Sequence, residues 1–75
     1  MKELVELLAK SLVDNPDEVK VNEVNKVDTI VLELSVAKED MGKVIGKQGR
    51  IAKAIRTVVK SVAVRKGQKV VVEII

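Results

Sequence analysis

Leu4, Val5, Leu8 and Leu12, with Leu7 beside them, recur at steps of three and four residues. That spacing predicts an amphipathic helix over residues 2–13, with Glu3, Glu6 and Lys10 among its polar positions. Asp14-Asn15-Pro16 should end it, because proline cannot continue a helix and biases the residue before it towards extended geometry. Beyond the break the period changes. Val19 and Val21 stand two apart, and Ile30, Leu32, Leu34 and Val36 alternate with Val31, Glu33 and Ser35, as in a pair of half-buried strands. The polar stretch Asn22–Asp28 is expected to hold the turn between them, although no Asn-Gly pair fixes its position.

Lys38-Glu39-Asp40 places two acids in the first turn of a short helix reaching about Val44, where they favour its positive end. The segment Val44-Ile-Gly-Lys-Gln-Gly-Arg50 interrupts the helical pattern. From Arg50 onward Ile51, Ile55, Val58, Val59 and Val62 form one apolar stripe while Lys53, Arg56 and Lys60 share another face, which predicts a second, longer helix. Arg65-Lys66-Gly67-Gln68 should close it, with Gly67 as a left-handed cap, and the branched run from Val70 reads as a covered strand. Helices with one apolar stripe must cover a sheet. The expected architecture is therefore an α+β two-layer sandwich, a three-stranded sheet covered by three helices, in the order α-β-β-α-α-β.

Length and composition narrow the picture further. At 75 residues, 47% of them hydrophobic and a third charged, the chain should fold as one domain over residues 1–75. It is short enough that self-association would help it. It contains neither cysteine nor histidine, so disulfides, thiolate or imidazole metal sites and Cys or His catalysis are excluded. The acids and lysine of the first helix argue against a signal peptide or a membrane span, and a cytoplasmic location is expected.

Charge is distributed unevenly. Residues 1–40 hold five lysines and ten acids, whereas residues 41–72 hold nine lysines or arginines and no acid. Such segregation suggests a surface for a polyanion, the alternative being a basic helix that pairs with acidic neighbours of its own fold. The glycine segment sits at the head of the basic half. A tight turn leading into a helix presents unpaired N–H groups and a partial positive charge, which suits phosphate. Gly46 and Gly49 allow positive φ and close approach of an anionic backbone, Lys47 and Gln48 are expected to face solvent, and Arg50 adds a bidentate donor. A helix-to-helix turn with no further role would use the same two glycines.

The run Met41-Gly42-Lys43-Val44-Ile45-Gly46-Lys47-Gln48-Gly49-Arg50 and the helix Ile51–Arg56 after it resemble the KH family in its type II arrangement. Length and the LVDNPDEV segment before the first strand make the chain similar to the small bacterial single-KH proteins of the KhpA type, over nearly all its residues. The resemblance implies a type II KH sandwich that clamps about four nucleotides of single-stranded RNA at the G-x-x-G loop. It assigns Gly46, Lys47, Gln48, Gly49 and Arg50 to the RNA backbone, with Lys43, Lys53 and Arg56 as flanking cations. It assigns Gly42, Ile45, Ile55, Val70 and Val72 to an apolar groove for the bases, core packing being the other role open to Ile55 and the valines. It also implies a homodimer, or a heterodimer with a larger KH-containing protein of the KhpB type.

The expected function is therefore that of an RNA chaperone or post-transcriptional regulator, without catalytic residues, metal or cofactor. With no aromatic residue in the chain, bases would be met by aliphatic contacts and backbone hydrogen bonds alone. A protein-interaction or dimerisation domain built on the same scaffold is the alternative. An enzyme is disfavoured. The superficially P-loop-like Gly42–Gln48 is one residue short and lacks the magnesium-binding hydroxyl, and the acid pairs Asp17-Glu18 and Glu39-Asp40 are expected to be solvated charge.

Overall fold

The computed structural model describes residues 1–75, apart from the side chain of Lys47. Helix α1 (Lys2–Leu12) and a short 3₁₀ turn (Pro16–Glu18) lead into strands β1 (Lys20–Asn25) and β2 (Ile30–Ser35). Helix α2 (Lys38–Ile45), a tight turn at Lys47–Gly49, helix α3 (Arg50–Arg65) and strand β3 (Val70–Ile74) complete the order α-β-β-α-α-β. The sheet order is β1-β2-β3, with β1 antiparallel and β3 parallel to the central β2. A parallel neighbour cannot be reached by a hairpin, so the α2–α3 pair serves as the crossover, and the glycine turn lies in its middle.

The antiparallel register corrects the expected turn. Pairing continues to Asn25 opposite Ile30, with Val24 opposite Val31, so most of Asn22–Asp28 is strand and only Lys26–Thr29 connects the two. Lys26 N–H donates to Thr29 O at 2.8 Å, and no residue of this hairpin has positive φ. A connection without positive φ needs no glycine, which accounts for the absence of an Asn-Gly pair. The polar side chains of β1 misled the pattern because an edge strand can leave one face and one side in water.

Registration also sorts the two faces. Val21 with Leu34, and Leu32 with Val72, belong to the core beneath the helices. Val24, Val31 and Val71 form a row on the opposite face, beside Asn22, Glu33 and Glu73. Across the core, α1 contributes Val5 and Ala9, α2 contributes Val44, and α3 contributes Ala52, Ile55, Val59 and Ala63. The helices are thus rotated slightly from the expected stripes. Leu7, Leu12 and Val58 are exposed, and the small Ala9, Ala52 and Ala63 take buried positions. The predicted end of α3 holds: Gly67 has φ 67°, and Gln68 N–H donates to Ala63 O at 2.9 Å.

Asp40 is a second correction. It is 1% exposed and does not lie in solvent. Its carboxylate accepts the backbone N–H groups of Asp14 (3.1 Å) and Asn15 (3.0 Å) and the Asn15 side-chain amide (3.1 Å). Burial by itself would raise its pKa. Those three donors, with Lys43 nearby, more than offset it and hold the carboxyl below the usual aspartate range. The Asp-Asn-Pro break after α1 is in this way tied to the first turn of α2, which fixes the helix that carries the glycine turn.

Candidate functional site

The two glycines of the turn are required for different reasons. Gly46 is extended (φ −78°, ψ 179°), so left-handed geometry is not what it supplies. Its N–H donates to Gly42 O at 2.7 Å, and a Cβ at this position would come closer to that same oxygen than side chains tolerate. Gly49 does take the expected left-handed conformation, φ 68° and ψ 32°. Gln48 joins it at φ 64° and ψ 25°, costing a non-glycine residue about 1–2 kcal/mol. Gly49 N–H closes the turn on Gly46 O at 2.8 Å.

The N–H groups of Gly46 and Gly49 are thus spent within the fold, and the anion-seeking end of the junction is the first turn of α3. No side chain caps α3, so the amides of its first turn, starting at Arg50, have no side-chain acceptor. Left-handed Gly49 followed by right-handed Arg50 at a helix N-terminus is the alternation of hand that forms a concavity suited to an anion. Gln48 and Arg50 are both exposed, and the turn packs principally on α2 and α3, the helices it joins, and not on β1 with its acid Glu23. The side chain of Lys47, assigned to the same surface by resemblance, lies outside the described residues.

From the turn, α3 runs antiparallel to β3, and between them lies a groove of about 380 Å³. Val59, Ala63, Val70 and Val72 make its aliphatic lining, and Arg56, Lys60, Gln68 and Lys69 its polar rim. The expected groove residues separate here. Val70 and Val72 line it, whereas Ile55 does not and lies within the core. Gly42 and Ile45 are exposed at the α2 end, beside the glycine turn.

Arg56 has a more specific place than a flanking cation. Ile30 N–H donates to Lys69 O at 2.9 Å and Ile75 N–H to Leu34 O at 3.0 Å, so residues 69 and 75 face β2. By alternation the backbone groups of Val70, Val72 and Ile74 turn to the open edge. Arg56 Nε reaches across and donates to Val72 O at 3.2 Å. Lys43 is turned the other way, its Nζ 3.1 Å from Asp14 Oδ1, paired with the acidic half of the chain. Lys53 is exposed on α3. Lys60 was visible in the α3 charge stripe, but Gln68 and Lys69 join the site only through the parallel placement of β3, which no spacing along the chain reveals. Among the described residues no group of three or more Asp or Glu could hold a metal ion, and no helix is long and apolar enough to cross a membrane.

A family model described as "KhpA/KhpB, KH domain" matches residues 2–74. The chain belongs to this family. It is 71% identical over 75 residues to the RNA-binding protein KhpA of Clostridium perfringens, covering 100% of both chains. It is 51% identical to the RNA-binding protein KhpA of Aquifex aeolicus, over 100% of this chain and 95% of that one. Its fold is similar to part of a crystal structure of an Aquifex aeolicus Era variant bound to GDP and AlF4−, with a TM-score of 0.65 and 26% identity. That match spans 97% of this chain and 28% of the longer Era chain. The observed α-β-β-α-α-β order is that of the type II KH fold expected from the G-x-x-G segment.

Proposed function

We propose that this chain, as one KH domain over residues 1–75, is a cytoplasmic single-stranded-RNA-binding protein acting as an RNA chaperone or post-transcriptional regulator. The observation that carries the proposal is the uncapped, outward-facing turn at Gly46–Gly49 in a chain 71% identical to a protein named for RNA binding. Backbone amides at the start of α3 take the phosphates, with Lys47, Gln48 and Arg50 around them and Lys53 and Arg56 along the strand's path. Lys43 serves as a flanking cation by leaving Asp14. Bases lie over Gly42 and Ile45 and along Val70 and Val72. Without aromatic platforms, each worth about 1–3 kcal/mol per base, one copy binds weakly and with little sequence discrimination. Pairing, as a homodimer or with a larger KH protein of the KhpB type, raises apparent affinity through effective concentration.

The decisive variant is Lys47→Asp combined with Gln48→Asp. Aspartate tolerates left-handed geometry, so the turn keeps its shape while its outer face becomes acidic. Loss of RNA binding at unchanged circular dichroism is expected, and retained binding would move the site elsewhere. A scaffold used only for protein contacts is the second reading, favoured by exposed Leu7, Leu12 and Val58. Light scattering separates the two: dimers that never bind oligonucleotides support the scaffold.

A further inference from the structure

The groove continues beyond Lys69. A second hollow, of about 240 Å³, opens between the β1–β2 hairpin and the α3–β3 connection, and Gln68 and Lys69 line both. Lys26 faces it from the hairpin. The two walls are joined through backbone: Ile30 N–H donates to Lys69 O at 2.9 Å, and Lys26 N–H to Thr29 O at 2.8 Å, so Lys26 and Lys69 are held at one mouth by different elements. Both lysines are exposed and neither enters the ion pairs found among the described residues. Asp28 is the one acid at the rim, and Thr29 Oγ1 lies 3.1 Å from its Oδ1.

The glycine turn and this hollow mark opposite ends of α3, whose 16 residues span about 24 Å. The carboxyl end of a helix is electronegative and repels phosphate. Here Arg65 in the last turn and Lys66 after it add positive charge at that end, and Lys26 and Lys69 line the hollow beside it. A strand held at the turn and laid along the α3–β3 groove must leave over this mouth. We infer that the hollow between the hairpin and the α3–β3 connection is a second phosphate site for the same RNA strand, occupied by nucleotides beyond the four held at the glycine turn. Lys26 and Lys69 are its phosphate-binding cations and Gln68 a hydrogen-bonding wall. The inference rests on the RNA reading above.

The test compares uridine oligomers of five and ten nucleotides by competition anisotropy, with the full chain and a variant carrying Lys26→Gln and Lys69→Gln. The variant should bind the pentamer within twofold of the parent and the decamer at least fivefold more weakly. Both proteins gain equally from the extra registers of the decamer, so that factor cancels. The salt slope for the decamer should become shallower by about 1.4, two phosphates at about 0.7 each. Equal decamer affinities for parent and variant would overturn the second site, as would an equal loss for both lengths. Lys26→Gln alone, at the hairpin, is the control for folding and should give part of the decamer loss. If Lys47→Asp with Gln48→Asp leaves both oligomers bound, the RNA reading of the turn itself fails, an outcome distinct from losing the length dependence.

Discussion

Gly46→Ala and Gly42→Ala make a paired experiment, because the same methyl group has opposite consequences four residues apart. At Gly46 the new Cβ falls within 3.0 Å of Gly42 O, a backbone atom that cannot rotate away. Relief requires the end of α2 to open, loosening the 2.7 Å bond from Gly46 N–H to Gly42 O. A lost backbone hydrogen bond costs about 0.5–1.5 kcal/mol and the residual crowding about 1–3 kcal/mol, which together centre on about 2–3 kcal/mol. For a domain of this size 1 kcal/mol corresponds to about 4–8 °C, so Gly46→Ala should melt at least about 8 °C below the parent. At Gly42 nothing lies within 4 Å of the Cβ position, and the residue is inside α2. Alanine there should stabilise by about 0.5–1 kcal/mol, raising the midpoint by a few degrees. Gly42 also faces the proposed base path, so its variant should be more stable and bind RNA more weakly. Thermal unfolding followed by circular dichroism, with RNA titration of each variant, measures both quantities. Equal midpoints for the two variants would refute the steric account of Gly46.

Asp40→Asn should destabilise the chain near neutral pH and flatten its acid limb. The folded pKa of Asp40 is depressed, so its contribution is complete above the ordinary aspartate value, about 3.9, and disappears as pH falls through the lower folded value. Urea midpoints between pH 2 and pH 7 test this, and parallel curves for parent and variant would contradict it. Neutralising about three phosphates at the glycine turn predicts a log–log salt slope near −2 for binding a pentamer, roughly a tenfold or greater loss between 50 and 200 mM salt. Affinity indifferent to salt would exclude a phosphate-led interface. Asp14→Asn should release Lys43 from its 3.1 Å partner and strengthen RNA binding modestly at low salt, whereas weakened binding would show that the pair positions α2.

Much of this architecture was legible because periodicity reports burial directly. The change from helical spacing before Asp14 to alternation at Ile30–Val36 located α1 and β2, and two glycines between apolar stripes located the turn. What stayed hidden depended on partners distant in sequence. Asp40 looks like any acid at a helix start until the Asp14 and Asn15 amides close on it, a contact spanning about two dozen residues. The β1 pairing through Asn22–Asn25 is dictated by β2, not by its own polar side chains. Ile55, for which groove and core were both open, is buried in the core, and Gln68 and Lys69 entered the site only when β3 came to lie beside β2.

The bond from Arg56 to Val72 O bears on solubility as well as recognition. Five successive residues of which four are branched aliphatics, Val70–Ile74, form a border strand of the kind that recruits foreign chains into growing sheets. A guanidinium placed over the central outward carbonyl denies an incoming strand its middle rung and sets a fixed charge in its way. Exchanging that arginine for a short neutral residue should therefore show itself first as turbidity in concentrated stocks, before any loss of helical signal.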